Sequence, residues 1–422
     1  MSNACNYFRG GISMRYVILG SSAAGVNGAK EIRKLDPNGE IIMISKDETI
    51  YSRCILHHYM SRHRTMNRLR FVEGDFFERY RIKWVGGTEA IGLNAEKKEV
   101  YLSNGETVGY DKLLIGTGSN SFFPPIENMN KAKNVLGFRN IDDCIEIMEK
   151  IDKLDNIVIM GGGLVGVDAL IGLIDSKKNL YLVEMQDRLL SIQLDKRAAK
   201  TYEDAFRRRG VNFYFGVGAQ KLNLHEEDNI KSLTLSNGEE IPCELLIVTA
   251  GVRANIGFLK DSTIEVDKKG LIIDRSGRTN DSDVYGAGDV TGRGPIWPVA
   301  VKEGVIAGSN MVGVHREMTD FFTSKSTMNF FGIPTMSLGI NEPLDSSYSV
   351  EIEEDIKGNY KKVIHKDGKI YGAILQGDLS YAGVLTQLIR ENIDISKVKK
   401  PIFKIDYSDF FNITDNFEFS YE

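Results

Sequence analysis

The feature that most constrains this 422-residue chain is one construction written twice: a short apolar strand, a glycine turn, and a segment with helical periodicity. Residues 156–160 (NIVIM) run into Gly161-Gly162-Gly163-Leu164-Val165-Gly166, which carries the full G-x-G-x-x-G spacing at Gly161, Gly163 and Gly166. Strand, turn and helix in that order aim backbone N–H groups and a helix N-terminus at a pyrophosphate. The next strand, 180–183, ends at Glu184, about 20 residues past the loop as a dinucleotide fingerprint requires. A carboxylate there accepts hydrogen bonds from a ribose 2′-OH and repels a 2′-phosphate. No arginine replaces it, so NADH is favoured over NADPH.

The other copy comes earlier. Residues 14–19 (MRYVIL) lead into Gly20-Ser21-Ser22-Ala23-Ala24-Gly25, and helical periodicity follows over 24–35. Gly20 allows the tight turn and Gly25 a close helix–strand packing, while Ser22 replaces the middle glycine. A second strand, 40–44, ends at Ser45-Lys46, where an acid usually grips the adenosine ribose; Ser45 is the candidate for that bond. A third glycine cluster, Val284-Tyr285-Gly286-Ala287-Gly288-Asp289, is a strand that ends by presenting one carboxylate. Beyond residues 297–300 a helix is expected over 302–312.

Bulk properties narrow the class. The net charge of −5 offers no basic face for nucleic acid. No apolar run approaches the ~20 residues that span a bilayer. Residues 1–13 lack the apolar core of a secretory signal and read as a disordered extension, which makes a cytoplasmic protein the expectation. The four cysteines, Cys5, Cys54, Cys144 and Cys243, form no CxxC pair and no disulfide framework. Cys54 with His57, His58 and His63 lacks a nearby carboxylate, so no metal site is expected. A redox centre beyond ordinary side chains would be a bound organic cofactor.

In order along the chain stand GSSAAG, the segment Tyr110 through Thr117-Gly118, GGGLVG, Leu246 through Gly251-Val252-Arg253, and YGAGDV. This ordered set resembles the FAD- and NAD-linked disulfide oxidoreductase family over about residues 14–314. The resemblance implies an α/β fold with two Rossmann-like dinucleotide-binding domains and a small α+β C-terminal domain. The FAD domain would comprise 14–141 and 266–320, with an NAD domain (142–265) inserted in it and residues 321–422 forming the last domain. It places FAD on Gly20, Ser21, Ser22, Ala24 and Gly25, with Ser45 and Lys46 at the ribose. Arg53, Thr117, Gly118, Arg139, Gly288 and Asp289 would serve the flavin side. NADH would lie on Gly161, Gly163, Leu164, Val165, Gly166, Glu184 and Gly251. Asp168 stands where a glutamate often sits near the nicotinamide, one methylene shorter. Within the family, residues 50–56 (IYSRCIL) and 367–389 are most similar to NADH-dependent rubredoxin reductases and the N-terminal part of NADH-dependent nitrite reductases.

The implied activity is electron transfer from NADH through FAD to an electron-carrier protein such as rubredoxin. Two alternatives stay open. Cys54, beside Arg53, occupies the place of a redox cysteine in NADH oxidases, peroxidases and disulfide reductases. Alternatively, the chain is a non-turnover FAD/NADH-binding input subunit of a larger complex. Arg53, Arg62, Arg64, Arg68 and Arg70 form a basic segment on an acidic chain, suited to steering a small acidic carrier or a redox partner subunit. The tail from about residue 321 reads as alternating strands ending in one helix, a cap that in the family often supports dimerisation or covers the flavin.

Overall fold

A computed structural model describes residues 13–319, 325–413, 415–416 and 418–421. Apart from Ser13, the extension expected at 1–13 lies outside the described residues. The chain forms two compact units, one of Met1–Ile55, Arg64–Phe122 and Gly251–Thr323, the other of Leu56–His63, Phe123–Ala250 and Ser324–Glu422.

The first unit is built on a five-stranded parallel sheet in the order Val284–Gly286, Lys112–Ile115, Arg15–Leu19, Glu40–Ile44, Ile82–Val85. Its central strands are apolar almost throughout because both faces are covered. On one face Tyr16, Ile18 and Leu114 pack with Ala24, Ala29 and Ile32 of the Ala23–Leu35 helix and with Ala300 and Ala307 of the Trp297–Met311 helix. On the other, Val17, Leu19 and Leu113 pack against Leu93, Val100 and Leu102 of a small antiparallel meander. The two helices touch backbone to backbone: a Cβ on Gly304 would lie 2.2 Å from the Ala24 carbonyl oxygen. The second helix begins at Trp297, five residues before the expected start. Pro298 is tolerated there because a first-turn proline gives up an N–H that has no intrahelical acceptor.

The second unit repeats the parallel sheet, in the order Asn212–Phe215, Asn179–Glu184, Asn156–Met160, Leu245–Val248, Val135–Gly137. It adds a three-stranded antiparallel sheet over residues 219–242. Its C-terminal part is a five-stranded antiparallel sheet, Lys325–Phe330, Ile333–Gly339, Lys369–Gln376, Tyr360–Lys366, Ser349–Glu354, with the Ala382–Arg390 helix. A two-stranded ribbon, Phe411–Ile413 with Phe419–Tyr421, follows that helix. The expected α/β class with two parallel sheets and an α+β tail is the architecture observed. Among the described residues no helix is long and apolar enough to cross a membrane.

Two of the changeovers between units fall at 122/123 and 250/251, where the resemblance implied domain boundaries at 141/142 and 265/266. The strand Val135–Gly137 joins the edge of the second sheet, and Val252–Ala254 pairs with Ser119–Ser121 in the first unit. The tail also groups with the second unit, and buried polar contacts explain why. Asp195 caps the Lys196–Arg207 helix through the Ala198 N–H at 2.9 Å. Its carboxylate also accepts from the Tyr360 hydroxyl at 2.6 Å and the Lys362 ammonium at 3.0 Å. Lys362 donates further to the Asn341 carbonyl and to Glu342. The Tyr202 hydroxyl meets the Ile333 carbonyl at 2.7 Å and Thr335 Oγ1 at 2.6 Å.

Asp195 and Lys362 are each 6% exposed at the side chain, so removing one partner strands a charge. Lys362→Ala should cost about 3–5 kcal/mol, read as a lowered urea midpoint. Breaking the surface pair Arg197–Glu354 with Glu354→Gln should cost under about 1 kcal/mol. Equal effects from the two changes would show that the Asp195–Lys362 pair does not hold the tail.

Candidate functional site

In the first unit the strand Arg15–Leu19 ends at Gly20, whose φ of +104° favours glycine and whose added Cβ would stand 2.1 Å from the Gly116 carbonyl oxygen. The Ala23–Leu35 helix starts at N-cap Ser22, which makes no side-chain cap. The first-turn N–H groups therefore have no capping acceptor, which suits them to phosphate oxygens. The first unit also holds the expected FAD-side residues other than Arg139, together with several others. The Ser21 hydroxyl is buried and bonds to Ser45 Oγ at 3.0 Å, and Ser45 accepts the Asp47 N–H at 3.2 Å. Ser45 thus braces the loop from inside, being only 5% exposed. Lys46 is exposed and reaches Asn120 Oδ1 at 3.3 Å.

Arg53 pairs with Asp47 at 2.6 Å and lies over the Tyr51 ring at 4.9 Å, while the Tyr51 hydroxyl donates to Asp47 at 3.1 Å. Burial works against the guanidinium's charge, but Tyr51, Asp47 and the field of Asp289 outweigh it and hold its pKa above the ordinary value. Thr117 and Asn255 exchange hydrogen bonds at 2.9 Å. Beside them Gly118 has a φ of +67° and open space where a side chain would stand. Asp289 accepts the Ser119 hydroxyl at 3.1 Å, and the Gly288 N–H before it donates to Glu303 at 2.7 Å.

The second unit repeats the geometry. A Cβ on Gly161 would lie 2.6 Å from the Thr249 carbonyl oxygen, and one on Gly166 would lie 1.9 Å from that of Gly161. Gly163 is the N-cap of the Leu164–Leu173 helix, without a side-chain cap and with open space above it. Leu164 and Val165 form the head of that helix, Val165 being exposed. The Glu184 carboxylate accepts the Gly162 N–H at 2.6 Å and the Gln186 N–H at 2.7 Å, and so is oriented beside the loop. One turn into the helix, Asp168 faces His57 Nδ1 at 3.5 Å. Burial pushes the Asp168 carboxyl up to about 7. The open helix heads, glycine turns without room for side chains, and carboxylates at the strand ends fit two dinucleotides.

Two expected residues fall apart from their groups: Arg139 belongs to the second unit and Gly251 to the first. Cys54 is exposed on the Arg53–Ile55 turn, whereas burial raises the thiols of Cys144 and Cys243 far above their usual range. Among the described residues no group of three His, Cys, Asp or Glu is placed to hold a metal. Asp47, Ser119, Glu303 and His57 enter through contacts that no local motif announces.

Comparison with known proteins agrees with this geometry. The pyridine nucleotide-disulphide oxidoreductase family matches residues 14–304, and the rubredoxin NAD+ reductase C-terminal domain matches residues 325–393. The chain is 29% identical to the NADH-dependent phenylglyoxylate dehydrogenase subunit epsilon of Aromatoleum evansii, over 91% of this chain and 93% of that one. It is 26% identical to the NADH-rubredoxin oxidoreductase of Clostridium acetobutylicum, over 93% and 98%. It matches the assimilatory nitrate reductase electron transfer subunit of Bacillus subtilis at 25% identity over 92% of its length, but spans only 51% of that protein. A NAD-dependent persulfide reductase from A. fulgidus shares the fold, with a TM-score of 0.82 at 24% identity, over 90% of this chain and 77% of that one.

The raised Asp168 pKa has a signed consequence. A carboxyl raised from 3.8 to about 7 contributes its full stability below pH 4, and that contribution is lost as pH rises through 7. Asp168→Asn should therefore match the parent near pH 4 and exceed it by roughly 2–4 kcal/mol at pH 8, read from urea midpoints at both pH values. A difference that does not change with pH would mean that Asp168 titrates as an ordinary carboxyl.

Proposed function

This chain belongs to the pyridine nucleotide-disulphide oxidoreductase family, and from that footing we propose that it passes electrons from NADH through FAD to a rubredoxin-like carrier protein. It is an NAD(P)H-dependent flavoprotein oxidoreductase that uses FAD and NADH. The observation that carries the proposal is the pair of glycine-built helix heads, one in each unit and each served by its own carboxylate. Bound FAD supplies the chemistry, accepting a hydride and releasing electrons one at a time.

The chain's residues bind and orient. In this reading Gly20 to Gly25 seat the FAD pyrophosphate, and Asp289, held by Ser119, takes flavin-side hydroxyls, with Arg53, Thr117 and Gly118 flanking. Gly161 to Gly166 seat the NADH pyrophosphate, and Glu184 accepts from its ribose hydroxyls. Arg64, Arg68 and Arg70 are exposed, and among the described residues none of them is ion-paired. They would draw in an acidic carrier. A second reading, an electron-input subunit of a larger complex, is favoured by the near end-to-end match to the phenylglyoxylate dehydrogenase subunit epsilon.

The test is anaerobic stopped-flow mixing with NADH, followed by oxidised rubredoxin or air. Fast flavin bleaching with fast reoxidation by rubredoxin, unchanged in Cys54→Ser, is the expected result. Fast bleaching with slow reoxidation by both acceptors would move the assignment to the input-subunit reading. Fast reoxidation by air that Cys54→Ser abolishes would move it to thiol-dependent chemistry, and no bleaching would sink the proposal. Glu184→Ala should lower the NADH-over-NADPH ratio of kcat/KM by about tenfold or more; an unchanged ratio would remove Glu184 from the site.

A further inference from the structure

We infer that Glu303 is a positioning residue of the FAD site, acting through the backbone of the Gly288–Asp289 turn to aim the Asp289 carboxylate. This rests on the reading of that turn as part of the FAD seat.

Gly288 has a φ of +82°, and a Cβ there would come 3.1 Å from the Ala24 Cβ, so the turn lies directly against the helix whose head is the proposed phosphate seat. In that position the Gly288 N–H points into the interior, where an unpaired donor is costly. Glu303, 5% exposed, supplies the acceptor at 2.7 Å and lies 3.4 Å from Thr291 Oγ1. The Thr291 hydroxyl donates at 3.0 Å to the Gly288 carbonyl, so both polar groups of Gly288 are held from behind the turn. On its front side Ser119 fixes the Asp289 carboxylate. Glu303 is also the residue before Gly304, which touches the Ala24 carbonyl. One side chain thus registers the carboxylate-bearing turn against the phosphate-binding helix.

The arrangement is expensive as packing alone. Burial pushes the Glu303 carboxyl up to about 6 despite the Gly288 N–H and the charge of Arg293, and Asp289 opposes its ionisation. Asp274 and Arg275 line the same small cavity as Arg293 and Glu303. An apolar side chain of similar size would escape that desolvation. What it could not do is accept the Gly288 N–H.

The test is FAD affinity, with no turnover involved. The full chain is stripped of flavin, FAD is titrated back with flavin fluorescence as the readout, and the thermal midpoint is taken without FAD. Glu303→Leu should raise the FAD Kd by about tenfold or more, the loss of a charge-assisted hydrogen bond, and should lower the flavin-free midpoint because the buried Gly288 N–H is left unpaired. Glu303→Gln, which keeps an acceptor oxygen, should restore the Kd to within about threefold of the parent. Glu303→Asp folds with the charge kept but one methylene short, and should weaken FAD even if the leucine variant is unstable. FAD affinity equal to the parent in both the leucine and aspartate variants would overturn the inference alone. A glutamine variant as weak as leucine, with both losing flavin-free stability, would also overturn it, because the role would then be packing. A parent chain that binds no FAD would sink the FAD-seat reading itself, and the inference with it.

Discussion

A single contact organises both nucleotide-type sites: the absence of a Cβ where a helix lands on the turn that precedes it. A Cβ on Gly25 would stand 1.9 Å from the Gly20 carbonyl oxygen, and one on Gly166 the same distance from that of Gly161. Real atoms do not approach so closely, so each helix can lie this near its strand only because these positions are glycine. The consequence reaches far beyond the turn. Close landing brings the helix head over the end of the strand, where the first-turn N–H groups are presented with no side-chain cap. In the second unit Glu184, at the end of the neighbouring strand, stands beside the loop and accepts the Gly162 N–H.

Around these rigid turns the chain tolerates polar groups that weaken the fold by themselves. Asp168 and Glu303 are carboxyls raised by burial, and Asp195–Lys362 is an ion pair almost without water. Desolvation makes such groups poor investments in stability, and their value lies in direction. Lys362 and Tyr360 converge on the N-cap of the Lys196–Arg207 helix and thereby tie the antiparallel tail sheet to the second unit. Glu303 orders the turn that carries Asp289. Arg53 is handled differently: Asp47, Tyr51 and the nearby Asp289 compensate its burial and keep it charged.

The glycine spacing, the acid at Glu184 and the Gly-Asp at the end of the Val284–Gly286 strand were legible from the residues, because each is a local rule of strand, turn and helix. Ser45 shows where that kind of reasoning stops. Its position past the second strand pointed to a ribose, yet its hydroxyl is turned inward to Ser21 and the Asp47 N–H. The basic segment was likewise visible as composition, but its division into the Leu56–Met60 helix and the Met66–Leu69 turn was not.

What the sequence by itself determined is therefore the two glycine turns, their helices, the class of fold and the kind of cofactor they suit. These depend on steric and hydrogen-bonding rules acting over a few consecutive residues. Tertiary structure alone decided which distant groups meet: Ser119 with Asp289 across 170 positions, Thr117 with Asn255 across 138, and Asp195 with Lys362 across 167. It also decided where the chain passes from one unit to the other, through the pairing of Val252–Ala254 with Ser119–Ser121 and of Val135–Gly137 with Leu245–Val248. The physical reason is the same in each case. A buried polar group or a strand edge must be satisfied by whatever the folded chain brings beside it, and no local pattern records which partner that will be.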